Sequence, residues 1–79
     1  MNRNEIKEKL QEIFRDVLDN EEIVISDDST TNDIEEWTSL TQMKIITTVE
    51  QEFNIKFKLS EFMMWENVGQ MLNSIEAKL

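Results

Sequence analysis

The sequence contains no cysteine, no histidine, no proline and no tyrosine, and only one glycine, Gly69, in 79 residues. Without cysteine there can be no disulfide, no thiolate nucleophile and no thiolate metal site. Without histidine the commonest general base and the commonest metal ligand are gone, and a Ser-His-Asp triad cannot be assembled. One glycine cannot make a glycine-rich phosphate loop. No apolar run approaches a membrane span, and Met1–Leu10 is polar with no signal-peptide core, so a soluble, cytoplasmic protein is expected. Two-carboxylate chemistry would need a pocket that a small acidic surface does not suggest. No catalytic and no metal-ligating residue is expected.

What the chain does have is acid. Eight Lys and Arg stand against 17 Asp and Glu, a formal net charge of −9. Binding to nucleic acid or anionic lipid is disfavoured, and a basic partner protein fits better. The acidity is concentrated: residues 19–36 hold Asp19, Glu21, Glu22, Asp27, Asp28, Asp33, Glu35 and Glu36 with no basic residue among them. The flanking segments are close to balanced. On charge alone, such a segment reads equally as a solvated connector.

A chain this short makes one domain, here residues 1–79, with one small core. Ile6, Leu10, Ile13, Phe14, Val17 and Leu18 recur at three- and four-residue spacing, the signature of one amphipathic helix face. Asn2 or Asn4 can cap that helix. Residues 19–38 break the pattern, with Ile23, Val24, Ile25, Ile34 and Trp37 as apolar anchors. A second helix is predicted over 39–53 from Met43, Ile46, Val49 and Phe53, ended by Asn54. Ile55, Phe57 and Leu59 alternate, but a lone strand has no partner, so an extended link is preferred. Ser60 is expected to cap a single turn over 61–65. A last helix over 67–78 carries Val68, Met71, Leu72 and Ile75, and Asn67 with Gln70 resembles a capping box. The expected fold is all-α, a bundle of three main helices plus one short helix. A 20-residue connector is unusual in a compact domain and points to function. Its apolar anchors imply that it is laid across the bundle.

Two local patterns lead nowhere by themselves. Asp27, Asp28, Asn32 and Asp33 invite a calcium loop, but an EF-hand requires a glycine at its turn and a bidentate glutamate at its end. Those places hold Asn32 and Thr38, or Asp33 and Ser39 one register on. The cluster Phe62, Met63, Met64, Trp65 reads first as core packing.

Glu36-Trp37-Thr38-Ser39-Leu40 sits where the acidic connector meets the second helix. Read from spacing, Ser39 with Gln42 three residues later is a capping box, and the serine only bonds the free amides of the first turn. A resemblance adds a second reading. The stretch Ile34–Phe57, with WTSL at its head and VEQEFNIKF at its tail, resembles the core signature of acyl carrier proteins. The likeness runs over nearly the whole chain, through the DDSTTNDIEEW connector, the short third helix and the last helix with its valine.

The resemblance implies a freestanding carrier, not an enzyme, in which Ser39 bears 4′-phosphopantetheine derived from coenzyme A. The thiol chemistry then belongs to the cofactor, and the positive end of the helix favours the phosphate of the arm. Implied partners are a phosphopantetheinyl transferase and acyl-transferring or acyl-extending enzymes with basic docking patches, met by a monomer. Glu35, Glu36, Thr38, Leu40, Met43 and Glu50 are the implied partner-recognition positions. Val49, Phe53, Phe57, Phe62, Trp65, Val68 and Met71 match the positions that enclose an acyl chain in the family. Phe62 and Trp65 are bulky for that role, so a long sequestered chain is not expected.

Three departures stand out. Thr38 occupies the place of the family's aspartate before the serine. Thr41 and Lys44 occupy acidic positions early in the second helix. The negative charge has moved into the connector, where Glu35 and Glu36 substitute for it. These departures suggest a specialised pathway, such as natural-product or surface-polysaccharide acylation, rather than bulk fatty-acid synthesis. The competing reading is a carrier-like interaction module with an unmodified Ser39.

Overall fold

The computed structural model describes all 79 residues and contains four helices and no strand. Helix α1 spans Arg3–Leu18, α2 Ser39–Phe53, α3 Leu59–Phe62 and α4 Val68–Lys78. The all-α expectation holds, and the first, second and last helices fall where the periodicity put them.

Local chemistry sets the ends. Asn2 caps α1 by accepting the Glu5 amide at 2.9 Å, and Glu5 returns the bond to the Asn2 amide at 3.1 Å. Asn54 ends α2 in the left-handed conformation, φ 53°, as does Asp19 after α1, φ 52°. Asn and Asp tolerate that region better than most residues because their short side chains bond locally. The short helix starts earlier than predicted, at Leu59. The glutamate three residues after Lys58 accepts the Lys58 amide at 2.9 Å, so Glu61 rather than Ser60 sets its start.

The core draws on α1, the connector, α2, the link after it and α4, but not on α3. Leu10, Phe14, Ile45, Met71, Leu72 and Ile75 are fully buried. Ile46 is buried as well, whereas Met43, predicted on the same face, is half exposed. The connector contributes Ile23, Ile25, Ile34 and Trp37 to this interior, and Trp37 meets Phe14 edge-on at 4.9 Å. Each such side chain removed from water contributes about 1.5–3 kcal/mol, which explains why a segment without helix or strand stays fixed.

Polar bonds seat the connector further. Gln11 accepts the Ile25 amide at 3.1 Å, and Arg15 Nε donates to the Ile23 carbonyl at 2.8 Å. Arg3 binds Asp27 at 3.0 Å, and its guanidinium also reaches the Gly69 carbonyl, Asn73 and Glu76. Lys7 reaches the same Asp27 carboxylate at 3.2 Å. At α4, the Val68 amide donates to the Ser29 carbonyl at 3.0 Å and the Gly69 amide to the Asp27 carbonyl at 2.8 Å. A Cβ on residue 69 would stand 3.0 Å from that same Asp27 oxygen, so any side chain there would make the connector give by a few tenths of an ångström.

Candidate functional site

The first turn of α2 is built differently from the capping box read in the sequence. Thr38, not Ser39, is the cap: its Oγ1 accepts the Thr41 amide at 3.3 Å, and Thr41 Oγ1 accepts the Thr38 amide at 2.7 Å. Gln42, the expected partner of Ser39, instead accepts the indole N–H of Trp37. Burial of Trp37 decides this, because its N–H needs an acceptor once removed from water. The Thr41 hydroxyl donates to the Glu36 carbonyl at 2.9 Å and fixes the approach to the helix.

Ser39 is therefore the first helical residue. It is exposed, and the hydrogen bonds of this corner, which run among Glu36, Trp37, Thr38, Thr41 and Gln42, leave its hydroxyl out. The amides of Ser39 and Leu40 precede the first intrahelical bond, from Gln42 to the Thr38 carbonyl at 2.8 Å, and have no acceptor in the helix.

The surroundings divide into three surfaces. A cleft of about 550 Å3 opens beside Ser39, between connector residues 30–32 and the turn after α3, with Trp37, Gln42, Phe62 and Trp65 in its lining. On the connector's outer side, Glu22, Asp33, Glu35 and Glu36 border a second cleft around Val24, which is 73% exposed. Glu36 is held there by Asn20 Nδ2 at 2.7 Å. The outer face of α2 is a third surface, with Leu40 84% and Met43 50% exposed and Val17, Lys44 and Thr47 alongside Met43.

The residues singled out from the sequence separate accordingly. Glu35, Glu36, Thr38 and Leu40 cluster around Ser39 in the chain and are exposed, with Met43 one turn on. Glu50 turns its carboxylate to the Phe57 amide at 2.9 Å and staples the extended link instead of facing outward. Val49, Phe53, Val68 and Met71 are buried in the core, with Phe57 and Trp65 packed against it. Phe62 lines the cleft beside Ser39, as does Trp65. Thr30, Thr31, Asn32 and Met63 also line it and were not singled out as site residues. The run of small polar residues at 29–32 was the available signal.

A phosphate-linked arm needs a solvent-accessible hydroxyl for attachment, donors for its phosphate and free space beside it. Ser39, the two open amides and the adjoining cleft satisfy these requirements, so the residues present fit such a group.

Comparison with known proteins agrees. The family model described as "Phosphopantetheine attachment site" matches residues 8–75. The solution NMR structure of a holo acyl carrier protein from Geobacter metallireducens superimposes with a TM-score of 0.87 at 36% identity, over 92% of this chain and 84% of that one. A search among curated proteins gave no significant match. The chain belongs to the phosphopantetheine-binding family of acyl-carrier-like proteins. Membership makes it a carrier rather than an enzyme, with covalently bound 4′-phosphopantetheine as its cofactor. No helix is long and apolar enough to cross a membrane.

Proposed function

We propose that Ser39 is the attachment residue and that the protein presents an acyl group to partner enzymes of a specialised acylation pathway. The observation that carries this reading is the exposed Ser39 at the open start of α2, its hydroxyl outside the local hydrogen-bond network. When bound, the arm supplies a terminal thiol that holds the acyl group as a thioester. In the transferase, Ser39 Oγ would attack the pantetheine-side phosphorus of coenzyme A; the pyrophosphate P–O bond breaks, adenosine 3′,5′-bisphosphate leaves, and the hydroxyl proton passes to a base of the transferase. The free amides of Ser39 and Leu40 would be the donors available to that phosphate.

The chain's charge supports a transferase and acyl-handling enzymes as partners. Glu22, Asp33, Glu35 and Glu36 offer a basic partner an acidic rim on the connector, while Leu40 and Met43 offer apolar contacts on α2. Such contacts chiefly raise the encounter rate. The near-absence of acid on the outer face of α2 favours partners dedicated to this carrier over those of bulk fatty-acid synthesis.

The test is the intact mass after incubation with coenzyme A, magnesium and a broad-specificity phosphopantetheinyl transferase. Wild type should gain one phosphopantetheine and Ser39→Ala none, with little change in Tm because the hydroxyl makes no internal bond. A folded protein that stays unmodified beside a modified control carrier would favour an interaction module with Ser39 as an ordinary helix residue.

A further inference from the structure

The cargo's resting place can be read from how the interior and the cleft beside Ser39 are filled. Ile45, Val49, Val68, Met71, Leu72 and Ile75 are at most 1% exposed. Trp65 covers this interior from the side of the cleft. Its ring stands edge-on to Phe57 at 5.0 Å and 6.3 Å from Phe62, and its N–H donates to Ser74 Oγ at 2.8 Å. Lys78 Nζ lies 5.6 Å over the Phe57 ring. An alkyl chain entering the bundle would have to displace an indole held by a hydrogen bond, an aromatic edge and the core itself.

The cleft is open, and its lining is of two kinds. Trp37, Phe62, Met63 and Trp65 give a short apolar wall. Thr30, Thr31, Asn32, Gln42 and Asn67 give hydroxyls and amides. The connector's own turn bonds use Thr30 and Asp33, which leaves the Thr31 and Asn32 side chains for a ligand. The single charged residue of the lining is Glu66, and no Lys or Arg contributes.

We propose that the cargo lies in this surface cleft rather than inside the bundle, and that the cleft selects short acyl groups bearing a hydroxyl or amino substituent. The inference rests on Ser39 as the attachment residue. A long alkyl chain finds too little apolar wall. A carboxylated acyl group meets Glu66 with no cation to pair it. A substituent that donates hydrogen bonds finds acceptors on Thr31 and Asn32, whose side chains make no bond within the chain.

The experiment loads the protein with β-hydroxybutyryl, butyryl, malonyl and octanoyl arms from the corresponding coenzyme A thioesters. It then compares NMR spectra with those of the protein carrying the bare arm. β-Hydroxybutyryl should shift the indole N–H signals of Trp37 and Trp65 and the amides of residues 30–32, and butyryl should shift them less. Malonyl and octanoyl should leave those signals in place, and no cargo should move the methyl signals of Val49, Val68 and Met71. Trp65→Ala should open the interior, so that octanoyl then moves the Met71 methyl. Octanoyl shifting the core methyls of the wild type, or malonyl matching β-hydroxybutyryl in the cleft, would overturn the proposal. Failure to load at Ser39 would overturn the attachment reading and this one together, whereas loading followed by core shifts would overturn this one alone.

Discussion

The N-termini of α2 and α4 begin alike and end up opposite. Each has a polar cap, Thr38 or Asn67, that accepts the amide three residues on. At α4 the first two helical amides, of Val68 and Gly69, are consumed by the Ser29 and Asp27 carbonyls of the connector. At α2 the equivalent amides belong to Ser39 and Leu40, and nothing in the chain covers them. One helix start is closed by backbone and serves stability; the other is left open, and it is there that the proposed attachment residue stands. A helix N-terminus is thus a binding feature only where its amides are left over, and the connector determines which end that is.

The comparison can be broken most forcefully at the closed end. Gly69→Val would place a branched side chain where even a Cβ stands 3.0 Å from the Asp27 carbonyl. Pushing the connector off α4 should cost about 2–3 kcal/mol. Thermal unfolding should show a Tm lower by roughly ten degrees or more; an unchanged Tm would mean that the connector does not close this end.

At the open end, the partner side can be tested through charge. Neutralising Glu35 and Glu36 to Gln should slow modification of Ser39 several-fold at low salt and flatten its salt dependence, because the charges that steer the encounter, and that salt would screen, are gone. Equal rates for wild type and variant at low salt would remove the acidic rim from recognition.

The cap itself gives a smaller effect. Thr38→Ala should lower stability by about 1 kcal/mol. Thr38→Asp should retain the cap, place a negative charge at the positive helix end and raise Tm slightly. It should also speed modification if the aspartate of related carriers acts here in the same way, which initial rates would decide.

Acid provides the mildest probe. Hydrogen bonds from Arg3 and Lys7 hold the Asp27 carboxyl below the ordinary carboxylate range, and the Lys58 amide with Lys78 does the same for Glu61. A carboxyl depressed on folding adds stability above its unfolded pKa of about 4 and loses it as pH falls through the folded value. Tm should stay level from about pH 7 to about pH 5 and fall below about pH 4, with a shallower fall in Asp27→Asn. Both side chains are partly exposed and their pairs are screened by solvent, so a shift of a few degrees is expected; identical acid profiles would rule out Asp27 as a contributor.

Much of this architecture is legible in the sequence where the information is local. The three long helices follow from apolar spacing, Asn54 from its tolerance of the left-handed region, and the seated connector from Ile23, Ile25, Ile34 and Trp37. The register at Ser39 was not legible. Two adjacent hydroxyls, Thr38 and Ser39, each have a bonding partner three residues on, and burial of Trp37 drew Gln42 away and left the box to Thr38 and Thr41. Glu50 meeting the Phe57 amide is local but depends on how the chain turns back after Asn54, whereas Asp27 meeting Gly69 and the cleft between the connector and Trp65 depend on residues distant in the chain. No window of sequence contains both sides of such contacts.

Arg3 carries a consequence for the order in which the molecule can assemble. Its acceptors on Asp27, Gly69, Asn73 and Glu76 all lie later in the chain, the last of them 73 positions on. A growing chain can form α1 early and pair Arg3 and Lys7 with Asp27, but the bonds of Arg3 to Gly69, Asn73 and Glu76 wait for α4. Docking of α4 is therefore the step that ties the first turn of α1 to the far side of the bundle.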